Sequence, residues 1–265
     1  MVEWCDGKPE FNRKGICIMN ATDEEFDASP IAWEIYQLMY AANFSNAFKI
    51  SGGARTNITN RFLYNGKRTG PMNFSGETDF NFTKGWSHTI YSKYNQLVTN
   101  ASLPQKCTAV YSARLEACYK LCRSIVNISI MPQTGNLQGT KKGIGNDRID
   151  TFLWILDAYY HKSSNLLTNY CTYNNTNALK NYLDIFGDVY HYCDAIYHID
   201  ALLVKDLIKS GKEAIDSVER VVSYMDLAMR FWKQKLAFLK SQSNQSAETA
   251  QAIKEADSLL KTYPA

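Results

Sequence analysis

His191, Asp194 and His198 are the side chains whose types and spacing come closest to site chemistry. They stand at i, i+3 and i+7, so on a helix they share one face and could give two or three ligands to a metal ion. A closed zinc site needs a fourth ligand, and the remaining histidines are His88 and His161. The plainer reading is three polar residues beside a packing face, with no metal and no cofactor. Gly135 to Gly143 is glycine-rich around Lys141-Lys142 but lacks the Gly-x-x-x-x-Gly-Lys-Ser/Thr spacing and follows no expected strand, so it reads as an exposed connection over 131–146. No Gly-x-Ser-x-Gly elbow, His-Glu-x-x-His pair or Cys-His nucleophile pattern occurs. Carboxylate pairs such as Glu24-Glu25 carry no geometry. The expectation is a protein that is not an enzyme.

Binding chemistry has a better candidate. Arg55, Arg61, Lys67 and Arg68 crowd together, with Trp86, Tyr91 and Tyr94 following. Arginine and aromatic residues dominate interface hot spots, so these seven are the candidate partner-binding residues. Solvated loop charges are the plain alternative.

Composition narrows the class of partner. The formal charge is +3 over 265 residues, with acids and bases interleaved, which argues against nucleic acid. No run approaches the roughly 18 apolar residues of a membrane span, and the opening Met-Val-Glu-Trp-Cys-Asp lacks the n- and h-regions of a signal peptide. Either the protein is cytosolic, or targeting and anchoring segments have been removed. Asparagine favours the second reading. Asn-X-Ser/Thr occurs at Asn20, Asn43, Asn57, Asn73, Asn81, Asn100, Asn127, Asn174 and Asn244, against roughly three expected by chance. That excess predicts a glycosylated protein on a cell or virion surface or outside the cell. Seven cysteines fit an oxidising compartment. Cys5 and Cys17 are expected to close a local loop, while Cys118 and Cys122, parallel on one helix face, are expected to bond to other elements such as Cys171 and Cys193. With Cys107 the number is odd, leaving one thiol free or linking chains in a homo-oligomer.

The elements that would position these residues are mostly helical. Ser29-Pro30 is a helix start, with Trp33, Tyr36, Met39 and Tyr40 on its stripe. From 54 to 103 the pattern turns irregular and sequon-rich, and Phe62 to Arg68 carries the Asn-Gly signal of a tight hairpin. Tyr111, Leu115, Cys118, Cys122 and Ile125 predict a helix over 107–126, and Ile149, Leu153, Leu156, Tyr160 and Leu167 another over 147–170. The longest signal runs over 177–242. Gly211, Val218, Met225, Trp232 and Leu239 recur every seven residues, interleaved with Ile215, Val222, Met229 and Leu236. The phase favours continuity through Gly211, a helix of about 60 residues and roughly 90 Å. A short helix should follow Ser246.

The predicted fold class is mainly all-α: an elongated disulfide-linked helical bundle with one very long helix or helix pair at 177–242. An irregular, glycan-rich head would carry the hairpin. One elongated domain would span 1–265, with the head or lid at 54–103 and the bundle at 107–262. As architecture alone, this resembles the surface glycoproteins that parasites and viruses present to a host. The expected function is a non-enzymatic ectodomain, of a pathogen facing a host, that binds a protein or glycan partner outside the cell through its head. Membrane association would come only from a removed anchor. The alternatives are a secreted helical carrier of an apolar ligand and a subunit of an extracellular filament or coat.

Overall fold

The computed structural model describes residues 27, 29–44, 58–84, 89–100, 105–132, 137–173 and 177–263. The Cys5–Cys17 loop and the side chain of Cys171 lie outside the described residues.

Within them the chain is helical around a small antiparallel sheet. β1 (Ile58–Asn60), β4 (Met72–Thr78) and β5 (Ile128–Pro132) form the sheet in the order β1-β4-β5. Ile58 faces Phe74 and Gly76 faces Ile130. β2 (Leu63–Tyr64) and β3 (Lys67–Arg68) make a separate hairpin. The helices are α1 (Pro30–Tyr40), α2 (Ile90–Asn100), α3 (Gln105–Leu121), α4 (Leu137–Lys142), α5 (Ile149–Tyr160) and α6 (Leu166–Tyr173). After them come α7 (Asn177–Asp184), α8 (Val189–Tyr197), α9 (Ala201–Gly211), α10 (Val218–Ser241) and α11 (Ala247–Lys261). None of the described helices is long and apolar enough to cross a membrane.

The helical content fits the mainly all-α prediction, but the stretch expected to be an irregular head supplies β1 and β4 of a small sheet that β5, from beyond it, completes. Phe62 and Phe74 are fully buried, and their rings meet Tyr182 and Phe186 on the helical side. β5 hides from a periodicity search because all five of its residues are buried, so it shows no alternation. The exposed connection expected over 131–146 is also corrected. Met131 and Pro132 belong to a core strand, 137–142 is helical, and Lys141 has no exposed surface.

The very long helix is corrected too. The stretch 177–242 is divided among α7, α8, α9 and α10, each with its apolar face on the shared core. The divisions have local causes. Gly187 has φ +81 and His198 φ +54, conformations that end a helix. Asp188, Asp200 and Ser217 then turn their side-chain oxygens onto the backbone N–H of His191, Leu203 and Arg220. Each such N-cap contributes about 1 kcal/mol to starting a new helix there. α10, at 24 residues, is about 36 Å long. Gly211 closes α9 because it must pass close to α5: a Cβ there would lie 2.1 Å from the Asp150 carbonyl oxygen. The helix predicted over 147–170 is likewise interrupted, with Lys162 left-handed at φ +55 between α5 and α6.

Among the described cysteines disulfide linkage is also overturned. Cys107, Cys118, Cys122 and Cys193 form no disulfide, and the last three are buried. Burial pushes the thiols of Cys118 and Cys193 well above their ordinary value, which keeps them protonated. Other local predictions hold. Ser29 accepts from Ala32 N–H with Pro30 at the first helical position, and Ser246 caps α11 with Glu248 in its first turn.

Candidate functional site

The β2–β3 hairpin is a cationic tip on a rigid base. Asn65 and Gly66 both have positive φ, +47 and +74, the backbone of the two-residue turn that Asn-Gly favours. Leu63 pairs with Arg68 and Tyr64 with Lys67. Arg61, Lys67 and Arg68 are exposed around this turn. Phe62 and Thr69 fasten its base: Thr69 N–H donates to the Phe62 carbonyl at 2.9 Å, and Phe62 N–H donates to Thr69 Oγ1 at 2.9 Å. Tyr64 lays its ring against Phe186 at 5.1 Å and His191 at 6.5 Å. Burial, followed by the charge of Asp194, raises the Tyr64 hydroxyl above its ordinary value. The tip is therefore cationic, and carboxylates of α8 stand by its inner edge.

Arg55 and Trp86 lie outside the described residues. Tyr91 and Tyr94 sit on α2, which packs against α3, and Tyr94 is 2% exposed with its hydroxyl 3.3 Å from Ser112 Oγ. Of the histidine trio, His191 is exposed with Nδ1 2.9 Å from Asp188 Oδ2, and Asp194 is exposed. His198 lies beyond the end of α8, its ring stacked 3.6 Å from that of Phe238. The left-handed turn thus removes it from the helical face assumed in the sequence. Among the described residues no group of three or more His, Cys, Asp or Glu side chains is placed to hold a metal ion.

Sequon asparagines differ as sharply. Asn73 and Asn244 are exposed. Asn43 donates to the Leu63 carbonyl and Asn81 to Asp147 Oδ2. Asn127 has no exposed surface. Its Nδ2 donates to the carbonyls of Phe80 and Cys122, and its Oδ1 accepts from Phe80 N–H and Trp232 Nε1. This fold has no room for a glycan there. Asn20, Asn57, Asn174 and the side chain of Asn100 are outside the described residues.

Sequence reasoning missed a buried charge network at the end of β4. Lys235 of α10 is fully buried and reaches Asp79 Oδ2 at 2.6 Å, Ser129 Oγ at 2.6 Å and the Ile128 carbonyl. Lys141 of α4 is equally buried and meets Asp147 at 2.8 Å, Glu77 at 3.4 Å and the Thr78 carbonyl at 2.8 Å. The two amines respond oppositely. Burial pulls Lys235 below its ordinary value, with only Asp79 opposing. Burial acts on Lys141 too, yet Asp147 and Glu77 together hold it above. A signal for Lys235 was present: it stands three residues after Trp232 and four before Leu239, on the core face of its helix. The network joins strands to helices and, among the described residues, opens on no substrate-sized space. The cleft reaching it, lined by Asn81, Thr89, Ile90, Asn146, Asp147 and Arg148, measures about 10 Å³, room for one water. Its chemistry is positional.

No family model, curated protein or solved structure compared with the chain matches it.

Proposed function

We propose that this protein is a non-enzymatic binding protein whose contact surface is the β2–β3 hairpin and whose partner is an anionic macromolecule outside the cell. The observation that carries the reading is the exposed trio Arg61, Lys67 and Arg68 on a turn fixed by buried Phe62 and braced by Tyr64. A preorganised cationic tip loses little conformational entropy on binding, and its charge steers an acidic partner. The sequon excess supports the extracellular setting, with Asn73 and Asn244 exposed for modification. The protonated, buried cysteines make no contribution to that setting.

A sulfated polysaccharide serves as the polyanionic probe. The Arg61→Ser/Lys67→Ser/Arg68→Ser variant should elute from immobilised heparin at markedly lower salt than the parent, with unchanged circular dichroism. Unchanged retention would remove the hairpin from the role.

A further inference from the structure

Away from the hairpin, an ammonium group is held in an aromatic corner. Tyr91 of α2 and Tyr119 of α3 set their rings 6.0 Å apart at 69°. Nζ of Lys84 lies 5.0 Å from the centre of the Tyr91 ring and 4.3 Å from that of Tyr119. The same nitrogen donates to Glu116 Oε2 at 2.8 Å. Two π faces set at a steep angle and closed by a carboxylate are the parts from which proteins build ammonium sites.

Folding energetics do not explain the arrangement. The Lys84 and Glu116 side chains are 40% and 38% exposed, and an ion pair so wetted adds little stability. Tyr119, by contrast, is 7% exposed and also takes the Arg123 guanidinium at 5.2 Å, so this wall stays in place whether or not Lys84 does. Burial works against the Lys84 amine, yet the hydrogen bond and charge of Glu116 hold it above its ordinary value, so a full positive charge occupies the corner.

We propose that Tyr91, Tyr119 and Glu116 form a binding site for a small quaternary ammonium compound, with Lys84 as a tethered occupant that the ligand displaces. A quaternary centre gives up less hydration than a primary amine on entering such a corner and needs charge rather than a hydrogen bond from Glu116. The solvent-facing side of the corner gives Lys84 a way out. The site is independent of the hairpin reading.

The probe is tetramethylammonium, followed by saturation-transfer NMR on its methyl groups. Lys84→Ser should bind it saturably. The parent should bind at least about tenfold more weakly, because its own lysine competes at a millimolar effective concentration. Neopentyl alcohol, which keeps the tetra-substituted centre without the charge, should not bind. Lys84→Ser/Tyr91→Leu should lose the signal while its circular dichroism matches the parent. Absence of saturable binding to Lys84→Ser up to about 100 mM, an affinity below which no specific site need be invoked, would overturn the proposal. Equal binding by parent and variant, or by the neutral alcohol, would do the same.

Discussion

Replacing Lys235 by methionine tests whether the buried network is a fastening whose parts depend on each other. Lys235 has no exposed surface and Asp79 is 2% exposed. Removing the amine strands the Asp79 carboxylate in the core and deprives Ser129 Oγ and the Ile128 carbonyl of a donor. Breaking one half of a buried pair costs about 3–5 kcal/mol, a large part of the roughly 5–15 kcal/mol that holds a domain folded. Asp79→Leu strands the opposite charge, but the lysine can shed its proton, which its lowered affinity already favours. That single variant should be costly at pH 7 and recover as pH rises. The double variant Lys235→Met/Asp79→Leu buries no charge and should lie within about 2 kcal/mol of the parent. The summed single losses would then exceed the double by at least about 3 kcal/mol. Urea unfolding followed by circular dichroism measures all four corners of the cycle. Losses that add to within about 0.5 kcal/mol would refute the coupling.

Other outcomes follow from the same packing. Gly211→Ala must push α9 off α5, since its Cβ would lie 2.1 Å from the Asp150 carbonyl oxygen. The cost of about 3 kcal/mol would lower Tm by about 6–12 °C in a scanning experiment. His198 has its affinity for protons lowered to about 4 by burial and then by the charge of Lys235, from an unfolded value of 6.5. Between those values the unfolded chain binds a proton that the folded one refuses. Stability is therefore lost as pH falls from 6.5 towards 4, by about 3 kcal/mol. Unfolding curves across that range should show the slope for the parent and not for His198→Asn, a residue that tolerates the left-handed backbone. Asn127→Ala should cost about 3 kcal/mol in denaturant, because the Trp232 indole and the Phe80 backbone lose their partner. Peptide mapping of protein from a glycosylating host should find Asn127 unmodified while Asn73 and Asn244 carry glycan.

Local chemistry was legible in the sequence and connectivity was not. Asn65-Gly66 specifies a hairpin by itself because both residues tolerate positive φ, and Ser29 and Ser246 announce helix starts through their own side-chain oxygens. The seam from Val218 to Leu239 marks a core helix with a wide apolar face: Val221, Tyr224, Ala228 and Phe231 are buried beside it. Its continuation to 177 deceived because α7, α8 and α9 point their apolar faces at the same core. Heptad phase survives such joints even though the helices do not. The signals that break it, Asp188 and Asp200, also look like ordinary surface acids. β5 was invisible because a strand buried on both faces has no period of two. The network was half visible. Lys235 stands in the core stripe of its own helix, but Asp79 is 156 residues away along the chain, and pairing over that separation is a property of the fold.

The hairpin reading meets its most direct test in a hydrogen-exchange footprint of the protein with and without heparin. A competing cationic surface exists: Lys233, Lys240 and Lys261 line an open cleft of about 440 Å³ between α10 and α11, with Asp257 among them. Our account predicts slowed exchange at residues 61–68 and at the start of α8, where His191 meets Tyr64, with α10 and α11 unchanged. Protection centred on α10 and α11, with the hairpin unchanged, would contradict it.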